Sequence, residues 1–154
     1  MRTPYSNWTQ TVVGAALIFA ASAAVALMST ARVAAQDASA SVLTGVYTEE
    51  QAKRGEAVAA KYCTSCHGPD LSGGEAGPSL VGLEFIGNWS NLTVADFFDR
   101  VHATMPADAP GTLSSQQTSD VAAYVFKLNK YPAGKTELPS DLGLLKSIKI
   151  EGPR

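Results

Sequence analysis

The stretch Lys61-Tyr62-Cys63-Thr64-Ser65-Cys66-His67 holds both cysteines and one of the two histidines of the 154-residue chain. A Cys-x-x-Cys pair can form a redox disulfide, contribute to a zinc site, or attach a haem. A thioredoxin-like redox pair would sit in a βαβ pattern, which this sequence lacks. Zinc wants four ligands in close pairs, and the chain offers His67 and His102 with no second pair at short spacing. A structural disulfide would explain neither His67 nor the glycine-rich segment behind it. The histidine directly after the second cysteine decides for haem attachment. Two thiols three positions apart on a helical turn can each reach a haem vinyl group and form a thioether. The adjoining imidazole then lies under the iron. One covalent haem c on Cys63 and Cys66, with His67 on the iron, is the expected cofactor.

The other axial position needs a ligand. Met105 is the only methionine after residue 28, 38 residues beyond His67 and immediately before Pro106. A lone methionine is usually core filler, but a bound haem changes that weighting, and Met/His ligation raises the reduction potential. His102, one helical turn earlier, is the rival ligand. A third arrangement leaves the position open or water-held, as in a haem-based ligand-binding or sensor module. A peroxidase would want a polar distal acid/base, for which His102 is the candidate.

Three helices must position these groups. Thr48 followed by Gln51 reads as a capping box, and the spacing predicts a helix over 49–62 that delivers the cysteine pair at its C-terminal end. Residues 68–87 contain six glycines and two prolines and are expected to form a loop wrapped around something. Thr93 with Asp96 opens a second helix whose apolar face is Phe97, Phe98 and Val101, ending near Met105 because of Pro106. Ser114 with Gln117 opens a third, running to about Asn129, with Val121, Tyr124, Val125 and Leu128 on one stripe. Residues 130–154 form a tail with an apolar patch at Leu142, Leu144, Leu145 and Ile148. No internal repeat or strand pattern is visible, so the expected class is all-α.

At the N-terminus, Arg2, an apolar run over 12–28 and Val33-Ala34-Ala35 suit a secretory signal peptide over 1–35, cleaved before Gln36. The alternative is an uncleaved membrane anchor, for which 17 residues is slightly short. Residues 36–47, rich in Ala, Ser and Thr, are expected to be a flexible leader. Without Arg2 and Arg32, 10 basic and 14 acidic residues remain, a charge of about −4. No run of Lys and Arg marks a nucleic-acid footprint.

Three blocks carry a family resemblance: Gly55 through Cys63-Thr64-Ser65-Cys66-His67-Gly68; Gly77-Pro78-Ser79-Leu80; and Thr104-Met105-Pro106 followed by Leu113 to Asn129 with Ala123-Tyr124. Over residues 48–130 the chain resembles a class I cytochrome c of the small bacterial periplasmic monohaem type. The resemblance implies a cytochrome c-like fold of three to five helices around one haem, with residues 131–154 as a C-terminal extension. It implies a periplasmic one-electron carrier that is not itself an enzyme, working between a dehydrogenase donor and an oxidase or cytochrome acceptor. A membrane is involved only if the N-terminal segment stays uncleaved.

Roles carry over to matching positions. Pro78 resembles the family proline whose carbonyl accepts a hydrogen bond from the proximal imidazole. Gly55 and Tyr124 resemble the crossing point of first and last helices. Leu80, Phe85 and Phe97 would wall the haem pocket or serve as ordinary core, and the Trp89 indole N–H would reach a haem propionate. Asp70-Leu71-Ser72-Gly73-Gly74 and the tail from Tyr131 resemble cytochromes encoded beside, or fused to, quinoprotein alcohol dehydrogenases. The lysine ring of mitochondrial members is not evident.

Overall fold

The computed structural model describes residues 40–152; the expected signal peptide lies outside them. The elements in order are β1 (Ala40–Ser41), a 3-10 turn (Val42–Thr44), α1 (Glu49–Tyr62), α2 (Thr64–His67), α3 (Gly82–Trp89), α4 (Val94–Thr104), α5 (Ser115–Leu128), α6 (Leu142–Leu145) and β2 (Ile148–Lys149). The domain is mostly helical.

The three expected helices form for the expected local reasons. Thr48 Oγ1 accepts from the Gln51 N–H at 3.1 Å and starts α1, with Glu49 and Glu50 in its first turn, where acidic side chains suit the helix dipole. Full capping boxes start α4 and α5. Thr93 exchanges bonds with Asp96, and Ser114 with Gln117. These bonds hold the Asp96 carboxyl below the usual carboxylate range, Thr93 being the main cause. At Thr48 the box is half formed, because the Gln51 side chain turns inward.

Helices α1 and α5 cross at Gly55, as expected, where a Cβ would overlap the Asp120 carbonyl oxygen and press on Tyr124 Cβ. Only a residue without a side chain lets the two backbones approach this closely. Between α3, α4 and α5 lies a cluster of rings in edge-to-face contact. Phe85 meets Phe97 at 5.6 Å, Trp89 meets Phe97 at 4.8 Å, and Phe126 meets Tyr131 at 5.9 Å between centroids.

Three expectations are corrected. The segment over 68–87 is a loop only as far as Val81, since α3 occupies Gly82–Trp89. Phe85, Ile86 and Trp89 give it an i, i+1, i+4 apolar face, and burial of that face outweighs the roughly 1 kcal/mol helix penalty of Gly87. Within the leader, residues 40–47 are packed, with Val42 and Tyr47 buried. A short parallel pair also exists where no strand was expected: Ala40 lies opposite Ile148 and Ser41 opposite Lys149.

Leader and tail together brace the helices. The Tyr47 hydroxyl donates to the Tyr131 carbonyl at 2.7 Å, and Tyr131 donates to the Glu151 carbonyl at 2.7 Å. Burial, helped by the nearby Glu49 charge, pushes the Tyr47 phenol up to about 12. Gln51 is fully enclosed and grips Leu138 like a strand partner. Its Nε2 donates to the Leu138 carbonyl at 2.9 Å, and its Oε1 accepts from the Leu138 N–H at 2.7 Å. Ser119 also donates to that carbonyl, at 2.8 Å. Outside this lock, Arg54 bridges buried Asp120 at 3.0 Å and exposed Glu137 at 2.8 Å.

Candidate haem-attachment site

The site begins where α1 stops. Cys63 is the C-cap of α1, its N–H donating to the Ala59 carbonyl at 2.8 Å. The next four residues make one more helical turn, α2, closed by bonds from Cys66 and His67 N–H to the Cys63 carbonyl at 3.1 and 2.9 Å. The two thiols are therefore one turn apart on a rigid helical end. Both are free; Cys66 is exposed and Cys63 half-buried. Burial pushes the Cys63 thiol up, with the Cys66 charge adding to the effect.

His67 is 8 % exposed, and its Nδ1 lies 2.7 Å from the Pro78 carbonyl oxygen. A carbonyl can only accept, so Nδ1 carries the proton and Nε2 keeps its lone pair for a metal. The glycine-rich segment wraps this imidazole. Gly73 N–H donates to the His67 carbonyl at 2.8 Å, and the Leu80 N–H donates to the Leu71 carbonyl at 2.8 Å. At Gly77 an added Cβ would stand 2.9 Å from Nδ1 and 3.0 Å from Cε1, so the cradle admits no side chain there.

This donor set fits haem c: two free thiols on one turn, and an imidazole whose outer nitrogen is oriented by a backbone carbonyl. Among the described residues no group of three or more His, Cys, Asp and Glu side chains comes together, so the chain builds no four-ligand zinc site there.

The remaining sequence-derived positions separate into two sets. Phe85 and Phe97, at 0 % and 1 % exposure, are packed against other rings. Leu80 and Trp89 keep accessible surface. Leu80 is held by the Asn129 amide, which donates to its carbonyl at 2.9 Å. The Trp89 indole N–H has no partner among the described residues. Met105 is half-buried at the C-cap of α4, in extended conformation, its N–H donating to Val101 O at 3.0 Å. His102 faces α5 instead, with Nδ1 3.2 Å from Thr118 Oγ1. Sequence reasoning named Gly77 only as part of a resemblance block and Asn129 only as a helix end, and gave neither a role in the cradle. The glycine's proximity to a histidine ten positions earlier carries no local signal.

Comparison with known proteins supplies a domain type for 76 of the 154 residues. Residues 50–125 match the model of the family described as cytochrome c oxidase, cbb3-type, subunit III, and they form a cytochrome c domain. Cys63 and Cys66 fit one covalent haem c in that domain. No curated protein matches the chain. Among solved structures, the sulfane dehydrogenase SoxCD from Paracoccus pantotrophus is 25% identical, covering 65% of this chain and 55% of that chain, with a TM-score of 0.48. This chain therefore spans about 55% of the length of that one.

Proposed function

We propose that this cytochrome c domain is a periplasmic carrier of single electrons, with His67 and Met105 as the two axial ligands of one haem. When bound, the haem supplies a one-electron Fe(II)/Fe(III) couple. The protein's own residues supply the rest. Cys63 and Cys66 hold the cofactor covalently, which prevents its loss from an exported chain. Pro78 orients the His67 imidazole and makes it the better donor. Leu80 and Trp89 offer surface for the pocket wall, and the indole N–H of Trp89 is suited to a propionate.

The observation that carries this reading is the 2.7 Å contact from His67 Nδ1 to the Pro78 carbonyl, which leaves Nε2 as the free donor beside two free thiols. Met105 is supported by its half-buried place at the end of α4 and by the engagement of its rival, His102, with Thr118. The donor we propose is a periplasmic dehydrogenase of the quinoprotein class, supported by the resemblance at residues 70–74 and in the tail. The acceptor is a terminal oxidase or another cytochrome. Export rests on the N-terminal pattern; no helix among the described residues is long and apolar enough to cross a membrane.

The test of ligation is spectroscopic. Haem-loaded ferric protein should show the weak far-red band of sulfur-ligated haem, and Met105→Ala should abolish it. Survival of the band in that variant refutes Met105 ligation.

A further inference from the structure

We propose that His102 and Thr118 form a clamp that holds Met105 in place, making both of them positioning residues for the distal ligand. The inference rests on the proposed ligation by Met105. It assigns His102, otherwise a rival ligand, the work of fastening that ligand's loop.

The loop over 105–114 leaves α4 at Met105 and enters α5 at the Ser114 cap. Three residues before Met105, His102 Nδ1 stands 3.2 Å from Thr118 Oγ1. Thr118 is fully buried, and its hydroxyl donates to the Ser114 carbonyl at 3.0 Å. A hydroxyl has one proton, so the oxygen lone pairs face the imidazole and His102 Nδ1 is the donor. The Phe98 ring, 5.7 Å from the His102 ring and tilted by 32°, sets the ring's orientation. One chain of bonds thus runs from the last turn of α4 through Thr118 to the residue that starts α5. Both ends of the loop are tied to the same hydroxyl.

Such a tie restricts the conformations the loop can adopt while its sulfur is off the iron. A shorter, stiffer tether keeps the sulfur's effective concentration high and disfavours any competing ligand from solution. Without the tie, α4 and α5 still form, because their caps and buried faces do not depend on it. The loop between them would open more readily.

Imidazole titration of the ferric haem-loaded protein, read at the far-red band, tests the clamp. Thr118→Val removes the acceptor while keeping the shape, and imidazole should then bind about tenfold tighter, the weight of one lost hydrogen bond. Thr118→Ser keeps the hydroxyl and should restore the unmutated affinity. His102→Phe, which keeps the packing on Phe98, should match Thr118→Val and stands in if that variant fails to fold. A merely structural role would lower the urea midpoint in Thr118→Val yet leave imidazole affinity equal to that of Thr118→Ser, and that result overturns the clamp. Met105→Ala separates the two claims. If it binds imidazole much more tightly, read for this variant at the main haem absorption band, while Thr118→Val and His102→Phe do not, ligation stands and the clamp falls. Absence of the far-red band from the unmutated protein overturns both.

Discussion

The attachment turn and the brace are built from opposite kinds of contact. Between Cys63 and Pro78 the bonds that shape the attachment turn span eleven residues or fewer, with His67 to Pro78 the longest step, and the Asn129 amide, 49 residues from Leu80, reaches the cradle from afar. The brace joins residues 40–47 to residues 131–152 and to α1 by bonds spanning 84 residues at Tyr47–Tyr131 and 87 at Gln51–Leu138. Local bonds leave a pattern that one stretch of sequence can show, whereas long-range bonds need two distant stretches to be read together. The chemistry is therefore concentrated where the chain is most legible, and much of the fold's closure where it is least. The same contrast predicts that changes in the two regions will have different readouts: spectrum and potential for the turn, unfolding free energy for the brace.

The largest effect is expected in the brace. Gln51→Ala removes both bonds to Leu138, leaves its buried N–H without a partner and opens a cavity. Urea unfolding of the haem-loaded protein should show a loss of about 3 kcal/mol with the far-red band intact. A change in that band would mean the two regions are not separate. Gly77→Ala probes the turn. Its Cβ would press on the His67 ring at 2.9 Å, so the imidazole should shift from Pro78, changing the reduction potential and costing about 2 kcal/mol.

Tyr47→Phe should cost about 1 kcal/mol through the lost bond to Tyr131. It also has a pH signature. With its folded value raised to about 12, Tyr47 contributes stability that is complete below the ordinary phenol value of 10.0 and is lost as pH rises toward 12. The unmutated protein should weaken across that window, and the phenylalanine variant should lose the Tyr47 share of this limb, while the Tyr131 and Tyr124 phenols, also raised by burial, keep theirs. Asp96 works in the opposite direction. Its depressed carboxyl contributes stability above the ordinary carboxylate value, lost as pH falls through the lowered one, so Asp96→Asn should flatten the acid limb. The smallest effect belongs to the rim. Glu137→Gln breaks an exposed ion pair to Arg54 and should change stability by less than about 0.5 kcal/mol, measured by the same urea titration.

Legibility follows the same division residue by residue. Thr48, Thr93 and Ser114 marked three helix starts because capping acts over three residues. Gln51 was read as part of such a box, yet its amide turns to Leu138, since a buried partner in the tail competes with the exposed cap. The helix at Gly82–Trp89 was hidden by its glycines, whose penalty tertiary burial overrides. The strand pair is two residues long and sits at the ends of the described chain, too short for alternation to register. At the site, Cys63, Cys66, His67 and Pro78 were legible from spacing and resemblance. The Thr118 contact of His102 was not, because it crosses from one helix to another.

Covalent attachment at the cysteine pair is tested most directly by mass spectrometry of protein matured in a haem-loading host. One haem per chain should survive acidified organic extraction and stay on the tryptic peptide 62–100, and it should be missing from the double variant Cys63→Ser, Cys66→Ser. Haem extracted freely from the unmutated chain, with both thiols reacting as free cysteines, would contradict the attachment site.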